Sequence, residues 1–378
     1  MKKKLSIYIH IPFCAKRCGY CNFVTYADKE NYMFDYTACL IKEIKMRAKS
    51  FKEHVVQSIY VGGGTPSYLH SGLMLKIIKA VKENYSIMKN AEITIEANPN
   101  SLTIPKLEEF KSCGFNRLSI GAQTCNNKIL KNIDRLHNFD DFKLALELAQ
   151  GQGFDNISVD MLLGLPKQTK ADVKKMLKYL VSHEVKHISA YSLILEHGTP
   201  MFNKVSSGKM ILPTEDKTVE MYNTVCKYLA KKGFKRYEVS NFALPDFESV
   251  HNTVYWTMGE YIGFGVAAHS YVNGERFANT ENLDEYIEKI DNRKYAVIDK
   301  EKLTIEQQKE ETIMLSLRTS KGINIETFNR NFHCNLLEDK KAEIAFLMNN
   351  RFIVIERGFL RLAENAFYVL NSVVQKLI

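Results

Sequence analysis

Three cysteines lie within eight positions, Cys14-Ala15-Lys16-Arg17-Cys18-Gly19-Tyr20-Cys21, spaced C-x3-C-x2-C. Thiolates are soft ligands that select iron-sulfur clusters, zinc or copper, and three on one tight loop can hold three corners of an iron-sulfur cubane. The fourth corner then has no ligand from the loop, and an iron left open can accept the amino and carboxylate groups of a small molecule. A structural zinc site usually takes four ligands in two pairs. No second C-x2-C or C-x-H pair follows, so a three-cysteine zinc site, with His10 the nearest further donor, is the weaker alternative. Gly62-Gly63-Gly64-Thr65 follows a short apolar run. Its exposed backbone groups could meet such a small molecule, although a tight turn needing positive φ would also explain the glycines.

Elements that could position these residues alternate from the start of the chain to about residue 240. Short runs rich in β-branched residues at 5–11, 58–61, 92–96, 117–120, 156–161 and 187–192 predict strands. Amphipathic stretches at 32–50, 72–84, 103–112, 139–150, 171–182 and 215–232 predict the helices between them. Such alternation implies parallel strands joined by right-handed crossovers. Six units are too few to close an eight-unit barrel, which leaves an incomplete barrel or an open sheet. The distinctive segments CAKRC, GGGTPS, EANP, GAQ and DMLLGLP each follow a strand, at the strand ends where ligand sites gather in α/β folds. From about 285 the texture changes: helices predicted at 304–317 and 338–349 precede FIVIERGFLRLAE, two apolar runs around Arg357-Gly358, a pattern that is winged-helix-like.

Bulk properties exclude several classes. With 378 residues and 45% hydrophobic composition, the chain can build one large core and a smaller module, since single cores stop growing near about 250–300 residues. The division expected is a core at 1–240, a linking segment at 241–284 and a C-terminal domain at 285–378. The net charge of +9 favours anionic partners generally, but no dense basic run or base-reading stripe points to nucleic acid. MKKKLSIYIHIPFC reads as a first strand rather than a signal peptide, and no run of about 18 apolar residues exists to span a membrane. Eight cysteines are too sparse for a disulfide scaffold, which fits a reducing cytoplasm; Cys39, Cys113, Cys125, Cys226 and Cys334 read as free thiols in or near the core.

The segments YIHIPFCAKRCGYCNF (8–23) and VGGGTPS (61–67) resemble the radical SAM superfamily, in the branch of the oxygen-independent coproporphyrinogen III oxidases and their heme chaperone relatives. The resemblance implies an incomplete (β/α)6 radical SAM barrel with a C-terminal α+β domain. It also implies a [4Fe-4S] cluster on Cys14, Cys18 and Cys21, and S-adenosylmethionine (SAM) on its open iron. Tyr8, Phe13 and Tyr20 would lie beside the cofactors. Gly63, Gly64 and Thr65 would meet the methionine amino group, and Glu96, Gln123, Arg135 and Asp160 would make further cofactor contacts. These types suit that work, since carboxylates receive amine or hydroxyl donors and arginine forks onto a carboxylate. Taken without the resemblance, Glu96 and Asp160 could cap turns, Gln123 could anchor a loop and Arg135 could be solvated.

Two classes of function remain. Oxidases of the family carry a further cysteine two residues after the third ligand, where this chain has Phe23, whereas HNTVYW (251–256) resembles an H-N-x-x-Y-W signature of the chaperones. That resemblance implies heme binding at His251 and Trp256, because heme iron accepts imidazole and aromatics lie against porphyrin faces. His269 is a reserve ligand. Heme would then pass to an acceptor hemoprotein, such as a cytochrome of a respiratory chain. In the alternative, a radical enzyme, an electron donor would drive SAM cleavage to methionine and a 5'-deoxyadenosyl radical. Peripheral membrane contact stays open. Near the C-terminus, Ala363 and Asn365 depart from the family's usual threonine and glycine.

Overall fold

The computed structural model describes residues 2–364 and 366–378; the departure at Asn365 lies outside them. Strands β1 (Lys3–Ile11), β2 (His54–Gly63), β3 (Ile87–Ala97), β4 (Arg117–Gln123), β5 (Ile157–Leu163) and β6 (His187–Ser192) are the six expected ones. They stand side by side in sequence order and all run parallel. Neighbour-to-neighbour crossovers of one hand put the intervening helices on one face, so this part winds as a barrel rather than as a doubly wound sheet. It stays open. β7 (Lys235–Arg236) and β8 (Asn241–Ala243) add antiparallel strands beyond β6, while β9 (Tyr261–Phe264) runs parallel to β1 on the other side. β10 (His269–Val272), β11 (Glu275–Asn279) and β12 (Val297–Lys302) continue the sheet from β9 to twelve strands.

Period-two alternation decides what each face carries. Leu5, Ile7, Ile9 and Ile11 of β1 point into the helix layer and are fully buried, as are Ile95, Leu118, Ile120, Val159 and Ile188 on the strands that follow. The other face is polar, and the register lines its side chains up across the sheet. Ser6 pairs with Ser58, Ser58 with Glu92, Thr94 with Arg117, Ser119 with Ser158 and Ser158 with His187. A row of buried polar groups needs partners, and hydrogen bonds such as Ser6 Oγ to Ser58 Oγ at 2.7 Å supply them. Two of the helices start at capping boxes, Asn138 with Asp141 before Phe139–Gly151 and Thr169 with Asp172 before Lys170–Ser182.

Residues 241–284, expected as a link, instead contribute β8 to β11 to the large sheet, along with the helix Val250–Trp256. The change expected at 285 also falls inside the first core, because Tyr286, Ile290 and Ala296 pack there. A second core begins at Ile313. There β13 (Ile323–Asn324), β14 (Ile353–Glu356) and β15 (Phe359–Leu362) form an antiparallel sheet in the order β13-β15-β14. The hairpin turns on Arg357 and Gly358, both at positive φ (50° and 81°), as a two-residue turn matched to strand twist requires.

Candidate cofactor site

The loop from Pro12 to Tyr26 is held from both sides. Tyr26 N–H donates to Pro12 O at 2.7 Å and Cys14 N–H to Tyr26 O at 3.0 Å, so the loop closes on itself just after β1. From β2, Gly64 N–H donates to Ile11 O and Thr65 N–H to Phe13 O, each at 2.9 Å. The approach is close enough that only glycine fits. A Cβ on Gly64 would lie 2.9 Å from Phe13 O and 3.0 Å from Cys14 Sγ, and one on Gly63 (φ 114°) would lie 2.6 Å from the His10 ring. At Gly64 a positive φ is not the reason for the glycine; the close approach of its backbone to the cysteine loop requires it.

Between loop and strand ends is a cavity of about 410 Å³. Cys14, Cys18, Tyr20 and Cys21 line one part of it. Gly63, Gly64 and Thr65 come from the end of β2, Glu96 from β3, Gln123 from β4 and Asp160 from β5, while Arg135 enters from the loop after the helix Asn127–Asn132. Arg135 ties them together: it donates to Cys18 Sγ at 3.5 Å, to Gly121 O at 2.7 Å and to Asn98 Oδ1. Asn98 in turn donates to Thr65 Oγ1 at 3.0 Å, which lies 3.3 Å from Cys14 Sγ. Gln123 sits at φ 62°, beside an irregularity in the β4–β5 register, a strained backbone of the kind that collects at binding sites.

Electrostatically the cavity concentrates groups held off their ordinary ionisation. Burial pushes the Glu96 carboxyl up to about 7, opposed by the Tyr60 hydroxyl at 2.7 Å and reinforced by Asp160. Asp160 is likewise raised by burial, against hydrogen bonds from Ser189 and Ser119. Burial also raises Cys14, to about 11, so its thiol is neutral until a metal displaces the proton.

The donor set fits a cluster. All eight cysteines are free thiols. Among the described residues no three His, Cys, Asp or Glu side chains converge to hold one ion. Three sulfurs on one zinc would need to lie within roughly 4 Å of one another, whereas a cubane spreads them over separate irons. Cys14, Cys18 and Cys21 instead share the wall of a cavity with room beyond it for a small polar molecule.

Four expected residues are placed elsewhere. Tyr8 and Phe13 do not line the cavity: the Tyr8 hydroxyl lies 2.9 Å from His10 Nδ1, and Phe13 is core, edge-on to Tyr36. His251 is not free to bind heme iron. It is 1% exposed, Nδ1 bonds Ser58 Oγ at 3.0 Å, Nε2 bonds the Tyr255 hydroxyl at 2.9 Å, and its ring stacks on Tyr60. Trp256 lines a different cavity, between the two cores. The reserve candidate, His269, is exposed on β10.

Arg117, Tyr60, Asn98 and Asn252 line the cofactor cavity without having been singled out. Asn98 and Asn252 sit inside EANP and HNTVYW, so the motifs held the signal. Arg117, 2% exposed, carried none: an arginine opening a short strand looks solvated until the sheet buries it.

The radical SAM superfamily model matches residues 8–180 and the HemN C-terminal domain model residues 303–369. The heme chaperone HemW of Lactococcus lactis subsp. lactis is 35% identical over 376 residues, covering 100% of this chain and 98% of the relative. HemW of Bacillus subtilis is 35% identical over 85% of this chain and 86% of its own. The mitochondrial radical S-adenosyl methionine domain-containing protein 1 of Danio rerio is 33% identical over 97% and 85%. The solved coproporphyrinogen III oxidase (HemN) of Escherichia coli superposes with a TM-score of 0.86 at 22% identity, over 100% of this chain and 90% of that one, a likeness of fold.

Proposed function

Because this chain belongs to the HemW family of heme chaperones within the radical SAM superfamily, we propose that it binds heme and transfers it to an acceptor hemoprotein, with a [4Fe-4S] cluster and SAM seated in the cofactor cavity. Cys14, Cys18 and Cys21 hold the cluster. Gly63, Gly64 and Thr65, with Glu96, Gln123, Arg135 and Asp160, receive SAM. Tyr20, on the cysteine loop, packs beside them. Together the two cofactors supply one-electron chemistry at a sulfonium. Arg135 keeps the Cys18 sulfur and the end of β4 in one arrangement, and Glu96 offers a carboxylate to an incoming donor.

The observation that carries the chaperone reading over the oxidase is Phe23. At the rim of the cofactor cavity, where the oxidases have a further thiol, stands a phenyl ring 68% exposed. The acceptor is a respiratory hemoprotein such as a cytochrome, and the compartment is the cytoplasm, which the sparse free thiols support. An electron donor is a further partner only where SAM is cleaved. No helix among the described residues is long and apolar enough to cross a membrane, so membrane contact would be peripheral.

The test is heme titration of the anaerobically reconstituted chain, with coproporphyrinogen III turnover assayed on the same sample. Saturable one-to-one heme binding without oxidation is expected. Turnover, or failure to bind heme, overturns the reading.

A second expectation concerns pH. With its carboxyl pushed up to about 7, Glu96 is mostly protonated below that value and accepts a donor fully only above it. SAM affinity of the cluster-loaded chain should therefore rise with pH through 7, by up to about tenfold per unit on the acid side. Glu96→Gln should flatten the profile; an unchanged slope in that variant would assign the titration elsewhere.

A further inference from the structure

The two cores meet at a cleft of about 880 Å³, within the range of about 300–1,000 Å³ usual for small-molecule sites. No residue lines both this cleft and the cofactor cavity. The first domain contributes Trp256 and Met258, from and just beyond the end of the helix Val250–Trp256, and the second contributes Phe328, Phe332 and Phe359. Two exposed lysines, Lys235 and Lys321, also border it. Asp246 and Glu248 line the cleft as well, but Lys235, Arg236 and Lys321 outnumber them, and Arg318 lies over the Trp256 ring; aromatic faces with this balance of charge suit a flat ligand bearing carboxylates.

Met258 is one of thirteen non-glycine residues at positive φ among the described residues, and with Asp246 one of two in the lining of this cleft. It lies two residues past the helix end at φ 53°, the left-handed position that glycine usually fills. Its thioether is the soft iron ligand in the lining, beside the hard carboxylates of Asp246 and Glu248. No histidine or cysteine lines the cleft. Of its two tyrosines, Tyr237 already has its hydroxyl engaged by His187 Nε2 at 2.8 Å and by Ser249 N–H at 3.3 Å. Tyr271 is held protonated by burial.

We propose that heme binds in this interdomain cleft with the Met258 thioether on its iron, its ring against Trp256 and its propionates toward Lys235 and Lys321. The proposal rests on the chaperone reading and gives it a site. A neutral thioether is a weak, exchangeable ligand, which suits cargo that must be released to an acceptor with better ligands. The geometry also joins the site to the cofactors, since the seven-residue helix that brings Trp256 to the cleft carries Asn252 into the cofactor cavity.

Heme titration of the full chain, followed by absorption spectroscopy, tests this with three variants. Met258→Leu, nearly volume-conserving, should keep the thermal melt, lose the thioether–iron charge-transfer band and bind heme about tenfold more weakly. Met258→His should give an imidazole-ligated spectrum and tighter binding. Lys321→Glu should weaken binding several-fold while leaving the spectrum in place. If the wild type binds heme and both Met258 variants keep its spectrum and affinity, the cleft assignment fails and the chaperone reading stands. If the wild type binds no heme, both fall.

Discussion

Serine at Cys14, Cys18 or Cys21 should leave the anaerobically reconstituted chain with near-background iron and sulfide, while the same change at Cys334 should leave both at wild-type levels. A cubane corner needs thiolate, and a serine hydroxyl is a poor substitute for a soft ligand. The loss should be of metal and not of fold. The loop is held by backbone bonds from Tyr26 and β2 that do not involve sulfur, so the apo variants should melt within about 1 kcal/mol of the apo wild type. Cys334 packs at the edge of the second core, far in sequence from the loop, which makes its variant a control for handling and oxidation. Iron retained in any of the three loop variants would remove that cysteine from the ligand set. Iron lost equally in Cys334→Ser would show that the assay reports protein damage.

His251→Ala should unfold more easily than wild type by about 2–4 kcal/mol, the sum of a core cavity and hydrogen-bond partners left behind. The ring is the stacked neighbour of Tyr60 and the shared partner of Ser58 and Tyr255, so its removal strands groups on two elements. The effect carries a pH signature. Burial, and secondarily Arg117, pushes His251 down to about 3, so the folded state holds it neutral. The stability tied to that neutrality is full above the unfolded value near 6.5 and is lost as pH falls from there toward 3, by about 1.4 kcal/mol per unit. His10, His137 and His187 are lowered in the same sense, so the wild type should be acid-labile, and the variant's urea midpoint should fall less steeply from pH 7 to 5.5. A variant that melts like wild type yet no longer binds heme would make His251 a ligand after all.

The cysteine loop could be picked out in the chain because its pattern is local. Three thiolates within one turn of loop need no distant partner to be recognised, and the glycines that admit the loop stand next to each other. The six parallel strands were legible for a related reason: alternation along each strand and caps before several of the helices are written within a few residues of where they act. The same local patterns under-read residues 241–302. β9 is four residues long with a glycine inside it, and its partner is β1, some 250 positions away. Nothing near it announces that pairing.

HNTVYW shows the division most clearly. As a string it marks a family and contains an imidazole. Only the packed sheet decides that this imidazole is satisfied by Ser58 and Tyr255, that Asn252 faces the cofactor cavity and that Trp256 faces the interdomain cleft. Arg117 likewise comes to line the cavity because the register sets it beside Thr94 on the polar face. Residue types and short spacings determined what chemistry the chain can hold. Whether a given polar side chain is free to do that chemistry depends on burial and on partners brought from far along the chain, and the free energy that chooses among those partners comes from packing the whole sheet at once.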